Sequence, residues 1–258
     1  MLLLKLDGGL CNRLRAMMSA RALATETDCP LTVFWKTDSE MNVCWRDLFL
    51  APPDFKILDM KPETIWSRLL FSRYKKYATL PNNPQVIEES LRKSSKWKPW
   101  TLFTCSEFYR PNRVDYSFAR PIPSLADEIA RVWHDIGGDR VEVRGIHIRR
   151  TDNAMSIEHS PDRLFFERIR LDLQQNPDLV FFLATDDDSV KVEMRERFGV
   201  SVYTRGNLAK REDARGVLDA VIDLFLLSKC SKIYGSYWSS FSGVAAGISN
   251  VPLEILSI

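Results

Sequence analysis

Residues 141–187 read VEVRGIHIRR TDNAMSIEHS PDRLFFERIR LDLQQNPDLV FFLATDD, and the order of patterns within them decides the fold. Val141 to Ile148 is a short apolar run, which predicts a strand. Arg149 and Arg150 end it. Pro161 to Gln174 carries apolar residues at helical spacing, and Leu179 to Ala184 is a second apolar run closed by Asp186 and Asp187. Strand, helix, strand in this order is the unit of a parallel sheet. Ligands of such sheets bind outside the carboxyl ends of the strands. The polar residues of this stretch gather at those ends.

The same alternation continues outward. Downstream, helices are expected at Ser189–Phe198, Ala214–Cys230 and Ser239–Ile248, and strands at Val200–Thr204, Lys232–Gly235 and Leu253–Leu256. Upstream, Ser124–Ile136 reads as a helix stopped by Gly137-Gly138. Pro121 and Pro123 lie before it. Further back come a strand at Leu2–Leu6, the breaker Asp7-Gly8-Gly9, a helix at Asn12–Thr25, and strands at Leu31–Trp35 and Thr101–Thr104. The expectation is an α/β chain of two parallel-sheet halves, residues 1–122 and 123–258. Residues 50–100 are less regular and hold Pro52, Pro53, Pro62, Pro81, Pro84 and Pro99.

Composition narrows the function classes. The chain has 258 residues, 45% hydrophobic and 27% charged, enough to bury a core without disulfides. A net charge of +2 gives no global reason to expect nucleic acid as a partner. The five cysteines (Cys11, Cys29, Cys44, Cys105, Cys230) show no Cys-x-x-Cys spacing and read as free thiols of a reducing compartment. With His134, His147 and His159 they make no ligand pattern, so no metal site is expected. No stretch reaches the length of a membrane span, and cytoplasmic residence is the default. Arg68, Arg73, Lys75 and Lys76 alternate with Trp66, Leu69, Leu70 and Phe71. That stretch fits a peripheral membrane helix bringing the chain to a lipid-linked acceptor, or a packing helix.

Four strand-end constellations could carry chemistry. Gly8 and Gly9 let the backbone approach an anion, with Asn12 as helix cap or ligand contact. Arg149 offers phosphate a permanently charged planar fork, with His147 on the same strand face and Arg150 and Asp152 beside it. Asp186 and Asp187 precede a helix, where acidic residues also serve as plain caps. Ser236, Ser239 and Ser240 surround another helix start, a second anion site or a serine-rich cap. The helix before that turn carries Asp223.

The ordered set resembles the GDP-fucose-using fucosyltransferases, which include α-1,6-fucosyltransferases, nodulation fucosyltransferases and protein O-fucosyltransferases. The string His147-Ile148-Arg149-Arg150-Thr151-Asp152 is its most specific element. Ala184-Thr185-Asp186-Asp187, Asp223 with Ser228, and the Ser236/Ser239/Ser240 turn follow in order. The resemblance implies a GT-B-like fold, two Rossmann-like domains facing across a cleft. The first would be acceptor-side and the second would bind the GDP-sugar. It implies that Arg149 holds the β-phosphate and that Arg150 and Asp152 shape its loop. His147 and Asp223 would face guanine, and Asp186 and Asp187 would order the nucleotide side. Ser239 and Ser240 would touch the diphosphate, while Gly8, Gly9 and Asn12 would approach from the other half. The partners implied are a nucleotide-sugar donor, GDP-fucose, and a glycan acceptor, with no cofactor. In an inverting transfer Arg149 would stabilise the departing GDP, and Glu158, in the loop after Asp152, is the expected base. Another nucleotide sugar, or a non-catalytic nucleotide-sugar-binding protein, are the competing readings. One departure is an extra aromatic in Gly235-Ser236-Tyr237-Trp238-Ser239-Ser240.

Overall fold

The computed structural model describes residues 1–60, 76–77, 100–104, 107–109, 113–151, 153–206 and 213–258. The basic, aromatic stretches at 66–77 and 91–100 lie almost wholly outside the described residues, as do Cys105 and Asp152. The chain divides into two compact units, Met1–Ile122 and Pro123–Ile258.

The first unit runs β1 (Leu2–Leu6), α1 (Leu10–Glu26), β2 (Leu31–Lys36), β3 (Lys56–Met60), β4 (Lys76–Tyr77) and β5 (Trp100–Thr104). Its strands pair in parallel in the order β3-β2-β1-β5-β4. Leu2, Leu4 and Leu6 on the central strand are fully buried, and Leu3 nearly so. A central parallel strand is covered on both faces, so its sequence is a continuous apolar run. The strand Lys56–Met60 escapes the sequence reading because it pairs at an edge. Lys56 and Leu58 are exposed there, so no apolar run marks it.

The second unit runs α2 (Pro123–Ile136), β6 (Val143–Ile148), α3 (Ala154–His159), α4 (Asp162–Gln175), β7 (Val180–Thr185), α5 (Asp188–Phe198), β8 (Val202–Thr204), α6 (Ala214–Lys229), β9 (Ile233–Ser236), α7 (Ser240–Ser249) and β10 (Leu253–Leu256). The sheet order is β10-β9-β6-β7-β8, all parallel. Ile146, Ile148, Phe165, Ile169, Phe181, Leu183 and Met194 form its core. Each such side chain contributes about 1.5–3 kcal/mol on burial. The chain builds outward from β6 through β7 to β8, then returns to place β9 on the other side of β6. The β6/β9 boundary is therefore the topological switch point, where ligands of open α/β sheets bind. Gly235 on β9 permits α7 to pack tightly, since a Cβ there would stand 2.5 Å from Ser242 Oγ.

Two local differences from the sequence reading have physical causes. The stretch after Asp152 is a short helix, because Asn153 Oδ1 accepts the Ser156 N–H at 3.0 Å and caps it. The strand expected from Val200 starts at Val202, because a 3-10 turn at Gly199–Ser201 precedes it.

Beneath the sheet lies a buried charge cluster. Asp172 is 0% exposed and accepts from Tyr234 Oη and Arg168 Nη2, each at 2.6 Å. Arg144 Nη1 also lies 2.6 Å from it. Burial pushes the Asp172 carboxyl up, but these hydrogen bonds hold it below the ordinary carboxylate value. On the central strand, burial pushes His147 down to about 3 from 6.5, despite the nearby charge of Asp186.

Two stability effects follow. Tyr234→Phe removes a donor from a buried carboxylate and should cost roughly 1–3 kcal/mol in urea unfolding. A loss below measurement error would show that the two arginines satisfy Asp172 alone. For His147 the unfolded chain binds a proton as pH falls below about 6.5, while the folded chain stays neutral until about 3. Stability should therefore fall across that window as pH drops. His147→Phe should flatten this part of the curve, and parallel curves for both proteins would refute the burial argument.

Candidate functional site

The exit of β6 is built around one carboxylate. Asp186, just past the end of β7, accepts the Arg150 N–H at 2.8 Å, the Thr151 N–H at 3.3 Å and the Thr151 hydroxyl at 2.7 Å. Its Oδ2 also lies 3.0 Å from Arg149 Nη1. Burial alone would raise its pKa. The Arg149 charge and these hydrogen bonds win, and hold it below the usual carboxylate range. Asp186 thus stays ionised and fixes both the loop and the Arg149 guanidinium. Asp187 does something else. It is the N-cap of α5, accepting the Ser189 N–H at 2.7 Å and the Ser189 hydroxyl at 2.5 Å.

The two adjacent arginines diverge. The strand ends at Ile148, so strict alternation no longer orients them. Arg149 points to Asp186. Arg150 packs the other way, donating to Asp162 through Nε at 3.0 Å and to the Ser160 carbonyl at 2.8 Å. Its Nη1 donates to the Arg149 carbonyl at 2.8 Å. Arg150 is therefore the clamp that ties the α3–α4 connection to the strand end.

Across the switch point, Ser236 Oγ accepts the Arg149 N–H at 3.1 Å and donates to the His147 carbonyl at 3.3 Å. Ser236 is fully buried, so its observed contacts are to the β6 backbone. Ser239 is the N-cap of α7 and makes no side-chain cap hydrogen bond, and Ser240 opens the helix. The start of a ten-residue helix thus stands uncapped by side chains beside the Arg149 loop. Such N–H groups and the positive end of the helix dipole suit an anion.

His147 and Asp223, both expected to face guanine, have different partners. His147 is buried and stacks on Phe241, with ring centroids 4.8 Å apart. Its Nδ1 has no hydrogen-bond partner. The charges around it are Asp186, Arg149 and Arg150. Asp223 is committed elsewhere, lying 3.1 Å from Arg205 Nη1. Burial pushes it up to about 6, opposed by Arg205 and Lys191. Arg205, which also binds Asp219 at 2.7 Å, escaped the sequence reading. No motif marks it, because its partners lie one helix further along the chain.

Glu158 lies on α3 rather than in an open loop, and it is exposed. Among the described residues, no three of His, Cys, Asp and Glu gather as a metal-ion site.

In the first unit, Gly8 takes the left-handed φ of +81° that the turn after β1 requires. Gly9, not Asn12, is the N-cap of α1, since the helix begins at Leu10. Asn12 sits in the first turn. The residue that fixes this turn is Arg13, which the sequence reading passed over. It is fully buried, donates to the Gly8 carbonyl at 2.6 Å and to the Lys36 carbonyl, and pairs with both oxygens of Asp38 at 3.1 Å. Its guanidinium also lies 5.1 Å from the Trp35 ring.

No model of a known protein family matches the sequence, and no curated protein matches it. Solved structures do match over nearly the whole chain. A structure of the α-1,6-fucosyltransferase NodZ soaked with GDP-fucose superposes with a TM-score of 0.63 at 14% identity, covering 98% of this chain and 93% of NodZ. NodZ structures from Bradyrhizobium are among the matches. A mutant of Arabidopsis thaliana FUT1 in complex with GDP gives a TM-score of 0.64 at 13% identity, over 98% of this chain and 70% of that one. POFUT1 in complex with GDP gives 0.61 at 10% identity, over 99% and 98%. At such identities the likeness is one of fold: the chain has the α/β, parallel-sheet fold of these fucosyltransferase structures.

Proposed function

We propose that the chain is a fucosyltransferase that moves fucose from GDP-fucose to a glycan hydroxyl, with inversion and without a metal. The observation that carries this reading is the switch point of the second unit. There an ionised Asp186 holds Arg149 beside the uncapped start of α7. The fold shared with structures soaked with GDP-fucose or bound to GDP supports the choice of donor.

Breaking the bond to a diphosphate develops negative charge on the departing oxygen. Preorganised donors aimed at that charge are the largest catalytic term in such sites. Arg149 and the amides at the start of α7 would supply them, with Ser239 and Ser240 nearest the phosphates. Asp186 keeps the guanidinium in place before the donor arrives, which removes its ordering cost from the reaction. Arg150 and Ser236 hold the loop, and Asp187 caps its helix. The second unit, 123–258, is the donor-binding domain. The first unit, 1–122, is the acceptor-side domain. Glu158, exposed on α3, is the proposed acceptor of the attacking hydroxyl's proton. His147 is neutral and buried, so it contributes a ring face and an unpartnered Nδ1 rather than charge.

A calorimetric panel of GDP, GDP-fucose, GDP-mannose and UDP-sugars tests the donor. GDP and GDP-fucose should bind and UDP-sugars should not, and turnover should survive excess EDTA. Equal affinity for GDP and UDP would sink the guanine preference. Activity abolished by EDTA and restored by Mn²⁺ would replace the metal-free mechanism. Binding without turnover on any glycan would leave a nucleotide-sugar-binding protein.

Kinetics separate the residues. Arg149→Ala should lower kcat by at least about 10²-fold, and Arg149→Lys should restore little, because one ammonium cannot reproduce a planar fork. Glu158→Gln should lower kcat by about 10²–10⁴-fold with GDP affinity unchanged. Near-normal turnover in Glu158→Gln would leave the donor phosphate itself as proton acceptor.

A further inference from the structure

Trp238 stands out on the second unit. It is 71% exposed, and its backbone has a φ of +55°. That left-handed conformation is unfavourable for a bulky residue, and glycine would relieve it. The surroundings hold the strain in place. Asn153 Nδ2 donates to the Trp238 carbonyl at 3.0 Å, while Asn153 Oδ1 caps α3. The preceding residue, Tyr237, is anchored inward. Its N–H donates to Ser160 Oγ at 2.8 Å, and its ring lies 4.9 Å from His159. The turn between β9 and α7 is therefore tied to both ends of α3. The Trp238 ring, 5.9 Å from that of Tyr237, is presented to solvent.

A large aromatic side chain held outward on strained backbone points to a role beyond packing. Its place says what it serves. Ser236, two residues before it, receives the Arg149 N–H, and Ser239, one residue after it, is the cap of α7. On the proposed function, the ring therefore stands at the rim of the donor diphosphate site. The α3 segment tied to this turn also carries Glu158. The exposed residues of α3 and of the loop before it are mixed: Thr151 and Glu158 are polar, and Met155 and Ile157 are apolar. A ligand with polar edges and one apolar face fits such a surface better than an acyl chain does. A pyranose ring has that shape. Its axial C–H groups are weakly positive and pack on the negative face of an indole, while its hydroxyls reach the polar rim.

We propose that Trp238 is the stacking platform for a pyranose ring of the acceptor. The word acceptor rests on the fucosyl-transfer reading, but pyranose binding is testable without any donor. Saturation-transfer NMR with methyl glucoside, galactoside, mannoside and N-acetylglucosaminide is the direct experiment, with octanoate as the acyl-chain control. At least one pyranoside should receive saturation on its C–H face. Trp238→Phe should keep the signal and Trp238→Ala should lose most of it. Trp238→Gly should lose it as well, yet melt at or above the parent temperature, because the left-handed cost is gone. That variant separates lost binding from lost folding. Saturation of no pyranoside, of octanoate alone, or of pyranosides equally in Trp238→Ala would each overturn the proposal. In turnover assays Trp238→Ala should raise the acceptor KM by about tenfold, the upper end for one stacking contact, with GDP affinity unchanged. A parallel loss of GDP affinity would assign the ring to the donor side and overturn it too. Pyranoside binding that persists in a protein unable to bind GDP-fucose would sink the fucosyl-transfer reading and leave the platform standing.

Discussion

The Asp186 carboxylate receives two backbone N–H groups and a hydroxyl from the loop after β6, and lies within ion-pair distance of the Arg149 guanidinium. The loop after β6 is arranged about it. A strand end in a parallel sheet leaves its next N–H groups without ladder partners. Here the neighbouring strand supplies an anion for them, and the same anion fixes a cation at the surface. Removing the charge would weaken the anchoring of the loop and of the arginine together.

The first unit reaches a related end with the opposite sign. Arg13 is a buried cation whose donors go to the Gly8 carbonyl, the Lys36 carbonyl and Asp38. It joins the ends of two adjacent strands. Burial lowers its pKa, and Asp38 opposes that. Each unit thus shapes its central strand exit with one partly or wholly buried charge. Such charges are tolerated because their hydrogen-bonding capacity is met.

Much of the fold was legible in the sequence because parallel strands buried on both faces advertise themselves as apolar runs. The buried central strand Leu2–Leu6 falls at the expected residues, as does Leu253–Leu256, an edge strand that is mostly apolar though partly exposed, and most other elements differ by one or two. What stayed hidden lacked that signal. Lys56–Met60 is half solvated at an edge, and Ala154–His159 is a short helix with only Ser156 buried. The site was legible as a set of strand-end residues, less so as contacts. The Gly8 turn and the Arg149 loop were marked by residue type. Spacing could not say that Asp223 binds Arg205, that Ser236 is spent on the β6 backbone, or that Arg150 grips Asp162. Those partners are chosen by tertiary approach, and several carboxylates stood within plausible reach of each arginine.

The switch point also has a kinetic side. Strands β6 and β9 pair residues far apart in the chain, such as Gly145 with Ile233, and the Ser236–Arg149 contact spans 87 positions. Parallel neighbours separated this far carry a large loop-closure entropy and assemble slowly. A ligand held at that seam would work as a reversible staple. It would bind only the closed chain, slow its opening, and raise the melting temperature in proportion to the logarithm of its concentration over its dissociation constant. The seam at the switch point is thus also the joint whose closure a bound ligand would guard.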